Sequence, residues 1–316
     1  MKKALTALIV AFCALLSLCV GASADESAEV YPYTFAFEEF WYEDAVALED
    51  TLPCKAALLM EAGSGRVLFA QNETAKLPIA SVTKIMSTLL VMEAIDSGKI
   101  RLTDMVTVGE EAAHMGGSQV YLEVGEQMPV SDMLKALVVV SANDATVAMA
   151  EHLAGSQSSF VSQMNARAAE LGMSETHFAN CHGLNEEGHY SCARDVAIMT
   201  RELLKHPLVL EYTQIWMDTI RNGAFGLANT NKLIRFYNGA NGMKTGFTDT
   251  AKYCLSGTAK RDGMQLIAVI IGADTSEIRF ASAKKLLDFG FANYAVKIPE
   301  RIELEPVTVN GGKAPQ

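Results

Sequence analysis

Pro78-Ile79-Ala80-Ser81-Val82-Thr83-Lys84-Ile85-Met86-Ser87-Thr88-Leu89-Leu90-Val91-Met92-Glu93-Ala94-Ile95 runs from a proline-containing loop into a long apolar helix, closed by Gly98. A helix apolar on most faces belongs in a core. Ser81 and Lys84 stand three residues apart at its start, so hydroxyl and ammonium share a face and can meet. Serine is a weak nucleophile until a base takes its proton. A lysine whose pKa is depressed by burial, a nearby cation or the helix N-terminus can be that base. Spacing alone says little: Ser282 and Lys285 repeat it in a stretch that reads as a solvated helix face. What distinguishes Ser81 is its setting, at the opening of a buried helix.

Working outward, Ala56–Met60 and Arg66–Ala70 are apolar runs around Gly63-Ser64-Gly65, the pattern of a β-hairpin. Residues 100–235 are mainly helical by periodicity, most clearly at Met133–Val140, Ala145–Leu153, Phe160–Leu171 and Asp195–Leu204. Strands return at Tyr253–Thr258 and Met264–Ile271, flanking the Asp262-Gly263 turn, and Ser282–Tyr294 reads as a C-terminal helix. Hairpin, helix, helical block, strands and helix, in that order, predict an α+β fold. Its antiparallel sheet is built from both ends of the chain, with a helical subdomain inserted at about 100–235.

The 316 residues are half apolar and one-fifth charged, with a net charge of −11. That is too hydrophobic for disorder and too charged for a polytopic membrane protein. The acidic balance argues against non-specific nucleic-acid binding. Lys2 and Lys3, the apolar run Ala4–Ala22 and Ala22-Ser23-Ala24 form a secretory signal pattern over 1–24, cleaved after Ala24. An uncleaved anchor is the alternative; lipidation at Cys19 is disfavoured because bulky Leu18 precedes it. The expected location is outside the cytoplasm, on the secreted, periplasmic or cell-wall side. Residues 25–51 form an acidic, aromatic leader. Nine acids and no base lie in 25–50, so most of the net charge belongs there. The tail 296–316 alternates like one edge strand, as the first strand of a further β domain would. No membrane anchor is evident in it, which suggests a soluble secreted enzyme or a longer chain.

Cys54, Cys181, Cys192 and Cys254 lie beyond the signal segment. They could pair in three ways, but a chain this long folds without staples, and free, mostly buried thiols are expected. Cys181, His182, His189 and Cys192 cluster locally, with spacing poor for tetrahedral zinc. Neither a metal nor a cofactor is expected.

Two more motifs carry chemistry. Ser141-Ala142-Asn143 ends an apolar helical run; it is either a polar helix junction or a proton-relaying hydroxyl with an amide for a substrate carbonyl. Lys244-Thr245-Gly246 enters a strand, where lysine and hydroxyl suit a carboxylate and glycine lets a substrate backbone approach. The three motifs in this order are those of penicillin-binding proteins and class A β-lactamases. Over residues 52–295 the sequence resembles the serine-type D-alanyl-D-alanine carboxypeptidases, the low-molecular-mass penicillin-binding proteins. Ala80–Lys84, Ser141–Ala145, His182-Gly183-Leu184, Tyr190–Asp195 and Met243–Asp249 all look like that family's segments.

The resemblance implies a β-lactamase/transpeptidase-like fold, a five-stranded antiparallel sheet flanked by helices with an inserted all-helical subdomain. The partner would be a peptidoglycan stem peptide ending in D-Ala-D-Ala, with β-lactams as covalent inhibitors. Ser81 would be the nucleophile, Lys84 the general base, Ser141 the proton relay and Asn143 the holder of the substrate amide. Lys244 and Thr245 would bind the terminal carboxylate beside Gly246, and backbone N–H groups of Ser81 and Phe247 would form the oxyanion hole. Arg279 would add positive charge; its alternative is a surface helix-cap arginine. Phe247 stands where some relatives have histidine, a change that leaves a backbone donor intact. A D,D-endopeptidase, a class A β-lactamase and a non-catalytic β-lactam- or cell-wall-binding module remain alternatives. The β-lactamase lacks support because no Glu-x-x-Leu-Asn occurs between Asn143 and Lys244.

Overall fold

Every residue of Ala56–Glu61 is buried, because this strand has a neighbour on each side and packing on both faces. Alternation sends Ala56, Leu58 and Met60 to one core and Ala57 and Leu59 to another. The computed structural model describes residues 39–41, 48 and 51–297. The signal segment 1–24, most of the leader and the tail beyond Lys297 lie outside the described residues.

In chain order the elements are β1 (Glu39–Trp41), β2 (Ala56–Glu61), β3 (Val67–Gln71), α1 (Lys84–Asp96), β4 (Met105–Thr107), α2 (Glu110–Ala113) and β5 (Gln127–Pro129). There follow α3 (Val130–Val139), α4 (Asn143–Ala154), α5 (Gln157–Glu170), α6 (Ala193–Leu203), α7 (Leu208–Thr213), β6 (Met217–Ile220), β7 (Phe225–Ala228) and α8 (Leu233–Phe236). The chain closes with β8 (Ala240–Thr248), β9 (Lys252–Arg261), β10 (Met264–Ala273), α9 (Ser276–Asn293) and β11 (Ala295–Lys297).

The main sheet has the order β3-β2-β10-β9-β8, antiparallel throughout. The hairpin from the first part of the chain thus docks against the three last long strands. β9 and β10 join through Asp262 (φ 48°) and Gly263 (φ 84°), both left-handed as a tight hairpin turn requires. One face of the sheet packs on α9, whose N-cap Thr275 accepts a hydrogen bond from Ile278 N–H (3.2 Å). The other face packs on the insert around α1. This helix is buried on nearly every side, as its uniform apolar character demands. α6 is amphipathic instead, with Val196, Ala197, Met199 and Leu203 buried.

Two ribbons interrupt the helical insert, β4 with β5 and β6 with β7. Their strands of three or four residues are too short to impose a readable alternation. Outside the main sheet, β1 of the leader pairs antiparallel with β11, Phe40 opposite Val296. Cys54, Cys181, Cys192 and Cys254 are free thiols. Cys192 also serves the fold, since its sulfur caps α6 by accepting from Asp195 N–H (3.4 Å).

Candidate active site

Ala80–Thr83 forms a single turn of 3-10 helix leading directly into α1. Residues three apart eclipse one another in that geometry, so Ser81 and Lys84 superpose more closely than in an α-helix. Lys84 is completely buried and its Nζ donates to three acceptors: Ser81 Oγ (3.0 Å), Asn143 Oδ1 (2.6 Å) and the carbonyl of His182 (2.7 Å). Burial pushes its pKa down to about 7, against a partly opposing pull from Cys181 and Asp144. An amine at that value is available as a base near neutrality.

Asn143 opens α4 and ties the insert to Lys84. Its Nδ2 donates to Gly116 O (2.7 Å) and its backbone N–H to Ser118 O (2.7 Å). The amide has two N–H donors, so one remains for a ligand. Ser141 sits two residues earlier in a left-handed conformation (φ 66°). Its hydroxyl is buried and has no hydrogen-bond partner among the described residues. A buried hydroxyl is costly to leave so, and sites of function are where such groups persist.

β8 forms the opposite wall. Gly246 is required there: a Cβ would lie 2.7 Å from Ile79 O and 2.9 Å from Ser81 N. Lys244 is buried, with its Nζ 3.2 Å from Thr245 O. Burial, then Lys84 and Arg279, hold its pKa well below that of an ordinary lysine. Thr245 Oγ1 donates to Thr230 Oγ1 (2.7 Å). Phe247 is 48% exposed and packs on Tyr253 with ring centroids 4.4 Å apart.

Arg279 is not a surface cap. It is buried and donates through Nη1 to Gly246 O and Cys254 O (both 3.3 Å). Burial pushes its pKa down to about 10, and its Nε has no partner among the described residues. Ser282, expected on a solvated face, is buried as well.

The sequence marks His182 and Gly183 as part of a family segment but not as site residues. His182 acts through its main-chain carbonyl, which no side-chain reading reveals. Gly183 (φ 90°) lies so close that a Cβ would be 2.1 Å from Ala80 O. Both buried histidines are neutral near pH 7. Burial lowers His182 to about 3 and His189 to about 4, and the Lys84 charge reinforces the first. His189 Nδ1 accepts from Ala179 N–H (3.1 Å), so its Nε2–H donates to Thr83 Oγ1 (2.7 Å). No group of three or more metal-ligating side chains is placed to hold an ion among the described residues.

The sequence profile of D-alanyl-D-alanine carboxypeptidases matches residues 43–275. The chain belongs to the D-alanyl-D-alanine carboxypeptidase family. Within this family it is similar to the carboxypeptidase DacF of Bacillus subtilis, 48% identical over 265 residues, 83% of this chain and 68% of that one. Its fold is that of penicillin-binding protein 5 from Haemophilus influenzae (TM-score 0.74, 35% identity, 78% of this chain and 73% of that one). Penicillin-binding protein D2 from Listeria monocytogenes, solved with ampicillin bound, is also similar (TM-score 0.71, 34% identity, 78% of this chain and all of that one). The five-stranded antiparallel sheet with flanking helices is the α+β fold expected of a D-alanyl-D-alanine carboxypeptidase.

Proposed function

We propose that this enzyme removes the terminal D-alanine from peptidoglycan stem peptides through an acyl-enzyme on Ser81, and that β-lactams acylate the same hydroxyl. The observation that carries this reading is the buried Lys84 amine, 3.0 Å from Ser81 Oγ, with a pKa lowered to about 7. Lys244, Thr245 and Arg279 hold the terminal carboxylate, which supplies the counter-charge for Lys244 and Arg279. Asn143 holds the substrate amide. Neutral Lys84 takes the Ser81 proton as Oγ attacks the carbonyl between the two D-alanines. The N–H groups of Ser81 and Phe247 face the developing oxyanion. Lys84 hands that proton to Ser141 as Ser141 gives its own to the departing nitrogen, the C–N bond breaks, free D-alanine leaves and Lys84 is again a neutral amine. Water, deprotonated by Lys84, then attacks the ester, and the proton returns to Ser81 Oγ. Residues 1–24 direct the enzyme out of the cytoplasm, where this substrate is found, and are removed after Ala24.

Labelling with a fluorescent penicillin followed by peptide mapping tests the assignment. The adduct is expected on the peptide containing Ser81, on that hydroxyl. An adduct on Ser141 or on another residue overturns it.

A further inference from the structure

The tip of the β6–β7 ribbon reaches the 116–126 loop through the polar contacts of Arg221 and through the Phe225 ring, 6.4 Å from that of Tyr121. Its Nε and Nη2 donate to the two oxygens of Glu126 (2.7 and 3.0 Å). Nη1 donates to Val120 O (2.7 Å) and Nη2 also to Tyr121 O (3.1 Å). The guanidinium carbon stands 5.6 Å from the centroid of the Phe225 ring. All four hydrogen bonds thus end on one loop. Glu126 in turn accepts from Glu123 N–H (3.0 Å), which closes the loop on itself.

Backbone conformation points the same way. Arg221 (φ 53°) and Tyr121 (φ 56°) are both left-handed, though neither is glycine. Such conformations persist where the surroundings fix them. The loop is also bonded at its far end to Val108 (Gly125 N–H to Val108 O and Val108 N–H to Glu126 O, both 2.9 Å), and its other attachments lead into the site. Gly116 O and Ser118 O hold the side chain and backbone of Asn143. Val120 and Leu122 donate their N–H groups to the Asp144 carboxylate (3.0 and 3.1 Å). Gly117 lies against Asn143 so closely that a Cβ would stand 2.8 Å from Nδ2.

We propose that Arg221 is a positioning residue for the reaction. It pins the 116–126 loop, and the loop orients Asn143 so that Oδ1 meets Lys84 while one N–H stays free for substrate. A flexible loop would let the amide rotate, and displacements of about 1 Å near reacting groups can cost a hundredfold in rate. This inference rests on the role given to Asn143 above.

The test uses wild type, Arg221→Ala and Arg221→Lys. Lysine keeps the charge but cannot fork to a carboxylate and two carbonyls together. Active sites are first titrated with fluorescent penicillin. The acylation rate constant per titrated site is then measured, along with the thermal midpoint. Acylation per site is expected to fall about tenfold or more in both variants. A brace that supports only the fold would lower the midpoint or the number of sites and leave the rate per site alone. A rate within twofold of wild type in both variants overturns the inference. Asn143→Ala, measured alongside, separates the two failures. If that variant acylates at the wild-type rate, the role of Asn143 fails; if it is slow while the Arg221 variants are fast, only the role of Arg221 fails.

Discussion

Lys84 is pulled two ways. Complete burial favours its amine, and Cys181 and Asp144 partly favour its ammonium; the outcome is a pKa of about 7. Only the amine can take the Ser81 proton. kcat/KM for a D-alanyl-D-alanine peptide is therefore expected to fall tenfold per pH unit below about 7, with the limb set by Lys84. The check is a pH profile of D-alanine release; a limb that stays flat to pH 5 would rule Lys84 out as the base. The same shift bears on stability. Between about 7 and the ordinary lysine value of 10.5 the unfolded chain binds more protons, so this group adds stability as pH rises through that window and loses it as pH falls. Lys244 behaves differently under the proposed mechanism, in which its counter-charge arrives with the substrate. Lys244→Ala is expected to lower kcat/KM for the free acid by roughly 10- to 100-fold, the value of a charge-assisted hydrogen bond. A peptide amide, lacking the carboxylate, should lose much less; equal losses on both substrates would remove Lys244 from the carboxylate site. The meeting of Ser81, Lys84 and Asn143 was legible because their side chains and spacing carry the chemistry proposed for them. The His182 carbonyl was not, since any residue could supply it.

At the scale of elements, the site is a close approach of two backbones, the Ala80–Thr83 turn and β8. Gly246 and Gly183 permit it, each with no room for a Cβ. Gly246→Ala is expected to destabilise the protein by about 1–3 kcal/mol, the cost of forced overpacking. It should also slow penicillin acylation, since the methyl lands beside Ser81 N. Gly226→Ala on β7 is the control, because a Cβ there meets nothing within 4 Å. Thermal melts and labelling rates read both; a Gly246 variant indistinguishable from the Gly226 variant would show that the approach is less tight. Long periodic elements such as α1, α6 and the β9–β10 hairpin were readable from sequence, because pattern and caps agree over many residues. The β4–β5 and β6–β7 ribbons were not. Strands of three or four residues are held by tertiary contacts, such as those of Arg221 beside β6, more than by local pattern.

In the molecule as a whole, two cores meet at one sheet. The first-strand hairpin, the three late strands and α9 share one; the same sheet and the helical insert share the other. The groups assigned to catalysis come from the seam between sheet and insert: Ser81 and Lys84 after β3, Ser141 and Asn143 inside the insert, Lys244 and Thr245 on edge strand β8. The order of elements made this architecture readable, since early and late strands can complete one sheet only if the middle is excluded from it. The pairing of β1 with β11 was not readable, as three residues of a leader give no register. The net charge of −11 likewise misleads about the site. It is carried mostly by residues 25–50, whereas Lys84 and Arg279 stand near enough to Lys244 to help lower its pKa. No Glu-x-x-Leu-Asn follows Asn143 to activate a deacylating water, so β-lactam acyl-enzymes are expected to be long-lived. Steady hydrolysis of a chromogenic cephalosporin should be slow, and rapid turnover would favour a β-lactamase. The central claim, Ser81 as nucleophile of a D,D-carboxypeptidase, is met most directly by free D-alanine released from diacetyl-lysyl-D-alanyl-D-alanine. Wild type is expected to release it and folded Ser81→Ala to release none above background; release by Ser81→Ala at the wild-type rate, or none by wild type, would contradict the claim.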